Sequence, residues 1–536
     1  MIGPAIRKMK KILFLILLLS LSPVLPDLSA SAYLIALWPA ICALAVIIST
    51  KSAALGLASG VVSGGLILHH ENLLLTPRAI LADFIFPALD GSWHVGAIVF
   101  TLILGAFAGL LEKSGGFDTI LNRLIAKAEN PQKRLLGSVY FLGLICFFDG
   151  LANALLTGRI ARPLADRTGV SRERLAWVVD STSSPVACIA FISTWIATQL
   201  SLIEQGLAKA PFPVEPYSLF FQSIPANPYC LLTLLLVPLA IYLNYQPKAM
   251  SRYPAHPLEG TDAQPASTDP KLETAPHRAI LPLIALLFGI FIAFPLLSSP
   301  VPDLLSIEGW KSAFSGDAGP YALVTGSLFG LTIAWILYPK DRRIPPQLAA
   351  FDGATKLLPA LVVLILAWSL GNVFSALGAG EQLAQLLSKT LHVEWLPLAV
   401  FGTGAFVALA TGSSWGTMGL LMPLVLPATL TAAALVNFPS DSLIPLVSSV
   451  IGAVFGGAVL GDHCSPFSDT TIVSSVASGC EPTAHVHSQL PFAAITAVFA
   501  VLAYSLMAFG LAGWIATVVA AALLVLFIWK LSKRQS

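Results

Sequence analysis

The sequence predicts an all-α polytopic membrane protein of two inverted-topology repeats, each with a re-entrant hairpin and a helix broken at Ser-Pro. Three observations carry this. Apolar runs of about 20 residues, enough to cross ~30 Å of hydrocarbon as a helix, recur from end to end and give about 11–12 crossings. The chain is 56% hydrophobic and only 11% charged, and its Lys and Arg gather in alternate loops. Finally, the chain aligns with itself at an offset of 262 residues. The apolar runs show no period-two alternation, so helices rather than a barrel must satisfy the backbone in lipid.

Taken in order, residues 1–32 contain "IRKMKKILFLILLLSLSPVLPDLSASA", with a basic start, a short apolar core and a small-residue tail. This reads equally as a signal peptide or as a first membrane helix. The first repeat covers 33–245. Spans near 33–50 and 53–69 form a tight pair, 70–94 loops outside, and 95–112 returns inward. "EKSGGFDTILNRLIAKAENPQKR" is basic and amphipathic, which suits an inner interfacial helix. If 135–160 crossed, Arg159, Arg162, Arg167, Arg172 and Arg174 would lie outside, against the positive-inside rule. A re-entrant hairpin with its tip at "FFDGLANA" keeps them inside. Segment 174–201 then crosses outward and 218–245 returns.

Residues 246–278, rich in Pro, Ala, Thr and charge, form a cytoplasmic linker. The second repeat covers 279–510, with spans 279–297, 320–338 and 357–377 and with Lys340, Arg342, Arg343 and Lys356 inside. A second hairpin occupies 395–427. Segment 443–478 crosses inward, 489–509 outward, and 511–536 supplies a final helix and the basic tail "KLSKRQS". Every basic cluster falls on the cytoplasmic side of an inner membrane. Both termini lie there too if the first segment is not cleaved.

The repeat shows most clearly where "LILGAFAGLLEKSGGFDTILNRLIAKA" (102–128) matches "LILAWSLGNVFSALGAGEQLAQLLSKT" (364–390) at 8 of 27 positions. Gly109 falls on Gly371 and Gly116 on Gly378. The same offset sets Asp149-Gly150 over Thr411-Gly412. After a change of loop length, "DSTSSPVA" falls over "GDHCSPFS". An odd number of crossings separates equivalent points, so the second copy is inverted. Secondary carriers build midplane sites from broken helices in such repeats.

Four polar islands interrupt the apolar background: Asp149–Asn153, Asp180–Ser184, Thr411–Ser414 and Asp462–Thr471. Two are hairpin tips and two are Ser-Pro breaks. Charge at this depth is expensive and is kept where it functions. Proline lacks an N–H and pushes its predecessor out of helical geometry, so upstream carbonyls lose partners that a dehydrated cation can replace. Asp462 and Asp469 would stand roughly 10 Å apart on an unbroken helix, and unwinding at Ser465-Pro466 brings them towards one cavity. Carboxylates, hydroxyls and carbonyls are hard donors that suit Na⁺. A carboxylate that binds either Na⁺ or H⁺ exchanges them by competition. His463 titrates in an accessible range, although a structural or supporting role suits it as well.

Other classes find no support. There is no P-loop, GxSxG, HExxH or CxxC, so neither ATP use nor metallohydrolysis is indicated, and the chain is not expected to be an enzyme. Cys42, Cys146, Cys188, Cys230, Cys464 and Cys480 lie mostly in apolar segments and read as small buried side chains. The net charge of +2 gives no reason to expect nucleic acid. Glu112, Asp118 and Glu381 read as interfacial charges, and the glycines of "GAFAGLLEKSGG" as helix-packing positions.

"GGAVLGDHCSPFSDTTIVSS" closely resembles the signature of the NhaC family of Na⁺/H⁺ antiporters, with its G-D-H-x-S-P-x-S-D-T-T core. "ATGSSWGTMGLLMPLVLP", "FFDGLANALL" and "DSTSSPVA" resemble the family's accompanying segments, so the similarity spans about residues 33–510. The resemblance implies Na⁺/H⁺ exchange, elevator-like movement and a cation site at Asp462, Ser465, Ser468, Asp469 and Thr470, with Na⁺ on Asp462 and Asp469. The wider set of candidate cation- or proton-binding residues adds His463, Asp149, Asn153, Asp180, Ser184, Thr411 and Ser414. Na⁺ and H⁺ are then cargo, no cofactor is expected, and the surroundings are the lipid bilayer. A homodimer is left open. Relatives assigned to malate/lactate exchange or amino-acid uptake keep a coupled organic carrier as the alternative.

Overall fold

The computed structural model describes residues 15–26, 31–50, 52–117, 119–120, 130–211, 215–253, 274–299, 303, 305–306, 309–310, 313, 318–388, 391–466 and 468–534. Among these the regular elements are helices, without a strand. Among the described residues ten helices are long and apolar enough to cross a membrane, and up to 12 if each of two bent pairs is one span. The start of the N-terminal segment, most of the interfacial helix after Ser114 and the centre of the 246–278 linker lie outside the described residues.

The first half contains α1 (Ala32–Thr50), α2 (Ala53–Leu68) and α3 (Ser92–Ser114), then α4 (Pro131–Ile145) and α5 (Gly150–Thr168), which form a hairpin. Next come α6 (Arg172–Ser181), α7 (Ser184–Ile189), α8 (Thr194–Gly206), α9 (Pro216–Ser223) and α10 (Pro228–Tyr242). The second half begins with α11 (His277–Leu297), α12 (Gly319–Ile336), α13 (Pro346–Thr355), α14 (Leu358–Ala376) and α15 (Ala379–Ser388). A second hairpin, α16 (Leu396–Thr411) and α17 (Ser414–Leu435), precedes α18 (Ser440–Cys464), α19 (Asp469–Ser478), α20 (Pro482–Ala508) and α21 (Gly513–Ser532). Helix, hairpin and broken helix thus occur in the same order twice.

The expected single crossing at 174–201 is instead three helices, with the α6–α7 stretch bent 43° from α8. Pro185 starts α7, and Ser193 starts α8 by accepting from the amides of Trp195 and Ile196. The 218–245 span is likewise bent by 49°, where Asn227 caps α10 ahead of Pro228. Asx and Ser caps followed by proline restart a helix, and apolar content alone cannot show that. The 70–94 loop also holds short helical turns, among them Thr76–Ala79 and Ile80–Ile85.

Both hairpins turn by the same device. The side chain of Asp149 accepts from the Ala152 amide to start α5, and that of Ser413 accepts from the Gly416 amide to start α17. Gly412 closes α16 in the left-handed region at φ 67°, where a side chain would be strained. The arms of the second hairpin are long and apolar enough to count as spans by themselves.

Packing interleaves the halves. α16 lies along α18, α11 along α12 and α3 along α13, while α19 of the second half packs against α5 and α6 of the first. The α3–α13 contact is glycine-lined: a Cβ on Gly353 would sit 2.8 Å from the Gly109 Cα, so only bare backbone fits. All six cysteines are free, four of them buried.

The charges converge at one end. Glu112 meets Lys113 at 2.9 Å, Lys356 at 3.2 Å and Arg159 at 3.6 Å. Arg342 donates to the Ser114 carbonyl, and Arg172 to the Gly479 carbonyl. Basic loops from both halves therefore share a face, as their placement in the sequence requires.

Candidate functional site

The second break centres on Asp462. α18 ends at Cys464, and Pro466 leaves Ser465 extended (φ −101°, ψ 122°) before α19 begins. Asp462, 1% exposed, then faces back onto the loop it precedes. Its Oδ1 accepts from Ser468 Oγ, and its Oδ2 from Thr470 Oγ1 at 2.8 Å. A third donor comes from the first break, where Ser184 Oγ reaches Asp462 Oδ2 at 3.1 Å and lies 3.1 Å from Thr470 Oγ1. One buried carboxylate is thus caged by three hydroxyls from both halves of the chain.

Further along α19, Thr471 and Ser474 belong to the separate donor set of a second buried carboxylate, Asp180 of α6. Asp180 accepts from Gln489 Nε2 (2.8 Å), His485 Nε2 (3.2 Å) and Thr471 Oγ1 (3.3 Å) on Oδ2, and from Ser474 Oγ (3.1 Å) on Oδ1. Thr471 Oγ1 also stands 3.1 Å from the Asp462 main-chain oxygen, which links the two centres. His463 turns the other way, with Nδ1 2.9 Å from the Tyr229 hydroxyl.

The hairpin tips flank the breaks. Asp149 is buried and takes the Ala152 amide at 2.6 Å on Oδ1 and Thr194 Oγ1 at 2.7 Å on Oδ2. Asn153 donates to the carbonyls of Gly143 and Thr182, both at 2.8 Å, and so clips the first hairpin to the first break. Thr411 and Ser414 are buried at the second tip. There Thr411 bonds its own turn, and Trp415 meets Trp195 with ring centroids 5.8 Å apart.

Three expectations change. Asp469 begins α19 with an exposed side chain and makes none of the hydrogen bonds of the Asp462 cage, unlike its neighbours Ser468 and Thr470. Several carbonyls at the breaks are taken by side chains rather than left open. Gln489 takes that of His463, Thr471 that of Asp462, Gln199 that of Cys188 and Ser193 that of Ala187. Buried backbone acceptors find side-chain partners when water is absent. Ser465 contributes its amide to the Asp462 carbonyl.

His485, Gln489, Thr194 and Ser474 were missed. The signal for the first two was present: "HVHSQLP" places His485 and Gln489 four residues apart, on one face of an apolar helix.

A single carboxylate ringed by hydroxyls is a hard-oxygen site for a proton or a small cation. Among the described residues no three His, Cys, Asp or Glu side chains converge as metal ligands.

Residues 186–511 match the family described as the Na⁺/H⁺ antiporter family. An uncharacterized protein of Haemophilus influenzae is 29% identical over 95% of this chain and 97% of its own length. The malate-2H⁺/Na⁺-lactate antiporter of Bacillus subtilis is 30% identical over 28% of this chain and 31% of its own. Among solved structures, the YdaH transporter of Alcanivorax borkumensis superposes with a TM-score of 0.54 at 15% identity, over 83% of this chain and 90% of that one, and so shares the fold.

Proposed function

The chain belongs to the Na⁺/H⁺ antiporter family, and from that premise we propose that it exchanges Na⁺ for H⁺ across the inner membrane by competition at Asp462. The protein is a multi-pass membrane transporter and not an enzyme. The observation that supports this exchange is the Asp462 cage, with hydroxyls of Ser184, Ser468 and Thr470 on a carboxylate that, among the described residues, forms no ion pair with a Lys or Arg. A buried carboxylate needs a positive partner or a proton. Na⁺ supplies the one and H⁺ the other, and they exclude each other. On this reading the face where Arg159 and Lys356 meet Glu112 lies in the cytoplasm, which the positive-inside rule favours.

The similarity to a malate/lactate carrier sustains a second reading, in which Na⁺ or H⁺ drives an organic anion. Purified protein in sealed liposomes with a pH dye separates the two. Protons driven by Na⁺ alone support plain exchange. Movement only after malate, lactate or an amino acid is added overturns it in favour of the coupled carrier.

A further inference from the structure

Asp180 presents a puzzle that the Asp462 cage does not resolve. It is fully buried and anchors His485, also fully buried, whose Nδ1 has no hydrogen-bond partner among the described residues. An ionised carboxylate only accepts, so the bond from His485 Nε2 requires the hydrogen on Nε2. The neutral ring then carries a bare lone pair on Nδ1. A proton added there makes an imidazolium already paired with Asp180 at 3.2 Å, and no second group has to give a proton up. His485 lies in the first turn of α20, close behind Gly479, whose carbonyl holds Arg172 of the basic face.

Resting on the exchange reading above, we propose that His485 and Asp180 form a second, proton-holding pair, coupled to the Asp462 cage through Thr471, so that the carrier moves one proton here besides the one exchanged at Asp462. Thr471 has a single hydroxyl hydrogen and two acceptors, Asp180 Oδ2 at 3.3 Å and the Asp462 carbonyl at 3.1 Å. It can serve only one at a time. A sodium ion at Asp462 and an imidazolium at His485 are like charges across this single bridge, in an interior that screens them poorly. Each therefore opposes the other.

The elements packed on α20 add few competing groups. α6 brings Asp180 and, nearer its start, Arg172, Glu173 and Arg174. α18 brings Asp462, His463, Cys464 and, at its far end, Asp441. α19 brings only Asp469. α10 brings Tyr229, Cys230 and Tyr242, α16 has none, and α21 has Lys530, exposed near its end. Glu394 lies just ahead of α16. The turn Met250–Arg252 brings Arg252, Glu481 lies just ahead of α20, and α20 itself carries His487, facing Tyr253, and the buried Tyr504.

The test is proton release on adding Na⁺ to the purified full chain in weakly buffered detergent, read with a pH indicator beside bound ²²Na⁺. The wild type should release more than one proton per Na⁺ bound. His485→Gln and Thr471→Val should each release one fewer while still binding Na⁺, and Thr471→Ser should restore the wild-type count. One proton per Na⁺ in the wild type, or an unchanged count in His485→Gln, overturns the second site. If His485→Gln does not fold, the Thr471→Val and Thr471→Ser pair decides. If Na⁺ binds and displaces no proton from the wild type, the exchange reading itself fails.

Discussion

Ser184 and Asp462 are 278 residues apart in sequence and 3.1 Å apart in the fold. The contact joins the Ser-Pro break of the first half to that of the second, so the cage exists only when both halves are assembled.

Removing the charge should therefore abolish exchange without unfolding the protein. Asp462→Asn keeps the volume but cannot hold Na⁺ by charge, and Na⁺-driven proton flux should fall to the level of empty liposomes. Retained flux in a folded variant, judged by its elution from a sizing column, would remove Asp462 from the mechanism.

Asp469→Asn should behave differently. Its exposed side chain sits outside the cage, so flux should stay within about twofold of wild type, as for surface changes worth under ~0.5 kcal/mol. A loss as deep as that of Asp462→Asn would put Asp469 back among the ligands.

The hydroxyls should tune affinity rather than decide activity. Ser184→Ala and Thr470→Val each remove one donor, worth ~0.5–1.5 kcal/mol, which is about a 2–10-fold rise in half-saturating Na⁺. Flux measured against Na⁺ concentration gives this directly, and no change in either variant counts against the cage.

Acid should inhibit by competition. Under the proposed competition at Asp462, half-saturating Na⁺ on the acid side should rise about tenfold per pH unit for each proton displaced, by reciprocal linkage. On the alkaline side it should level off. A half-saturation that ignores pH would mean that the two ions do not share a site.

Gln489→Leu should reduce stability more than it changes Na⁺ affinity. It orphans the His463 carbonyl and one bond to Asp180, and each unpaired buried acceptor costs about 1–3 kcal/mol. Thermal unfolding in detergent should show a clear fall in midpoint.

Local pattern in the sequence revealed the spans, the charged face, the two hairpins and the Ser-Pro break beside Asp462, because hydropathy, charge placement and proline are local signals. It also pointed to Ser184 and Asp180 as polar residues out of place. It did not reveal which of them meet. The pairing of Asp180 with His485 and Gln489 depends on how α20 lies against α6, which is a tertiary fact. Asp469 shows the same limit: spacing along a helix does not say which side chains converge once the helix is broken at Pro466. The breaks near 190 and 224 were hidden by strongly apolar neighbours, although Ser193 and Asn227 carry the cap chemistry that marks them.

A hydroxyl has one hydrogen and two lone pairs on the same oxygen. With no cation present, Ser184, Ser468 and Thr470 turn their hydrogens towards the Asp462 carboxylate. When a cation enters, each can rotate about its C–O bond and offer a lone pair instead, with no heavy atom displaced. A shell of lysines would suit only the anion, and a shell of carbonyls only the cation. Hydroxyls let one rigid set of oxygens solvate either charge, so the change of cargo reorganises little more than three hydrogen atoms.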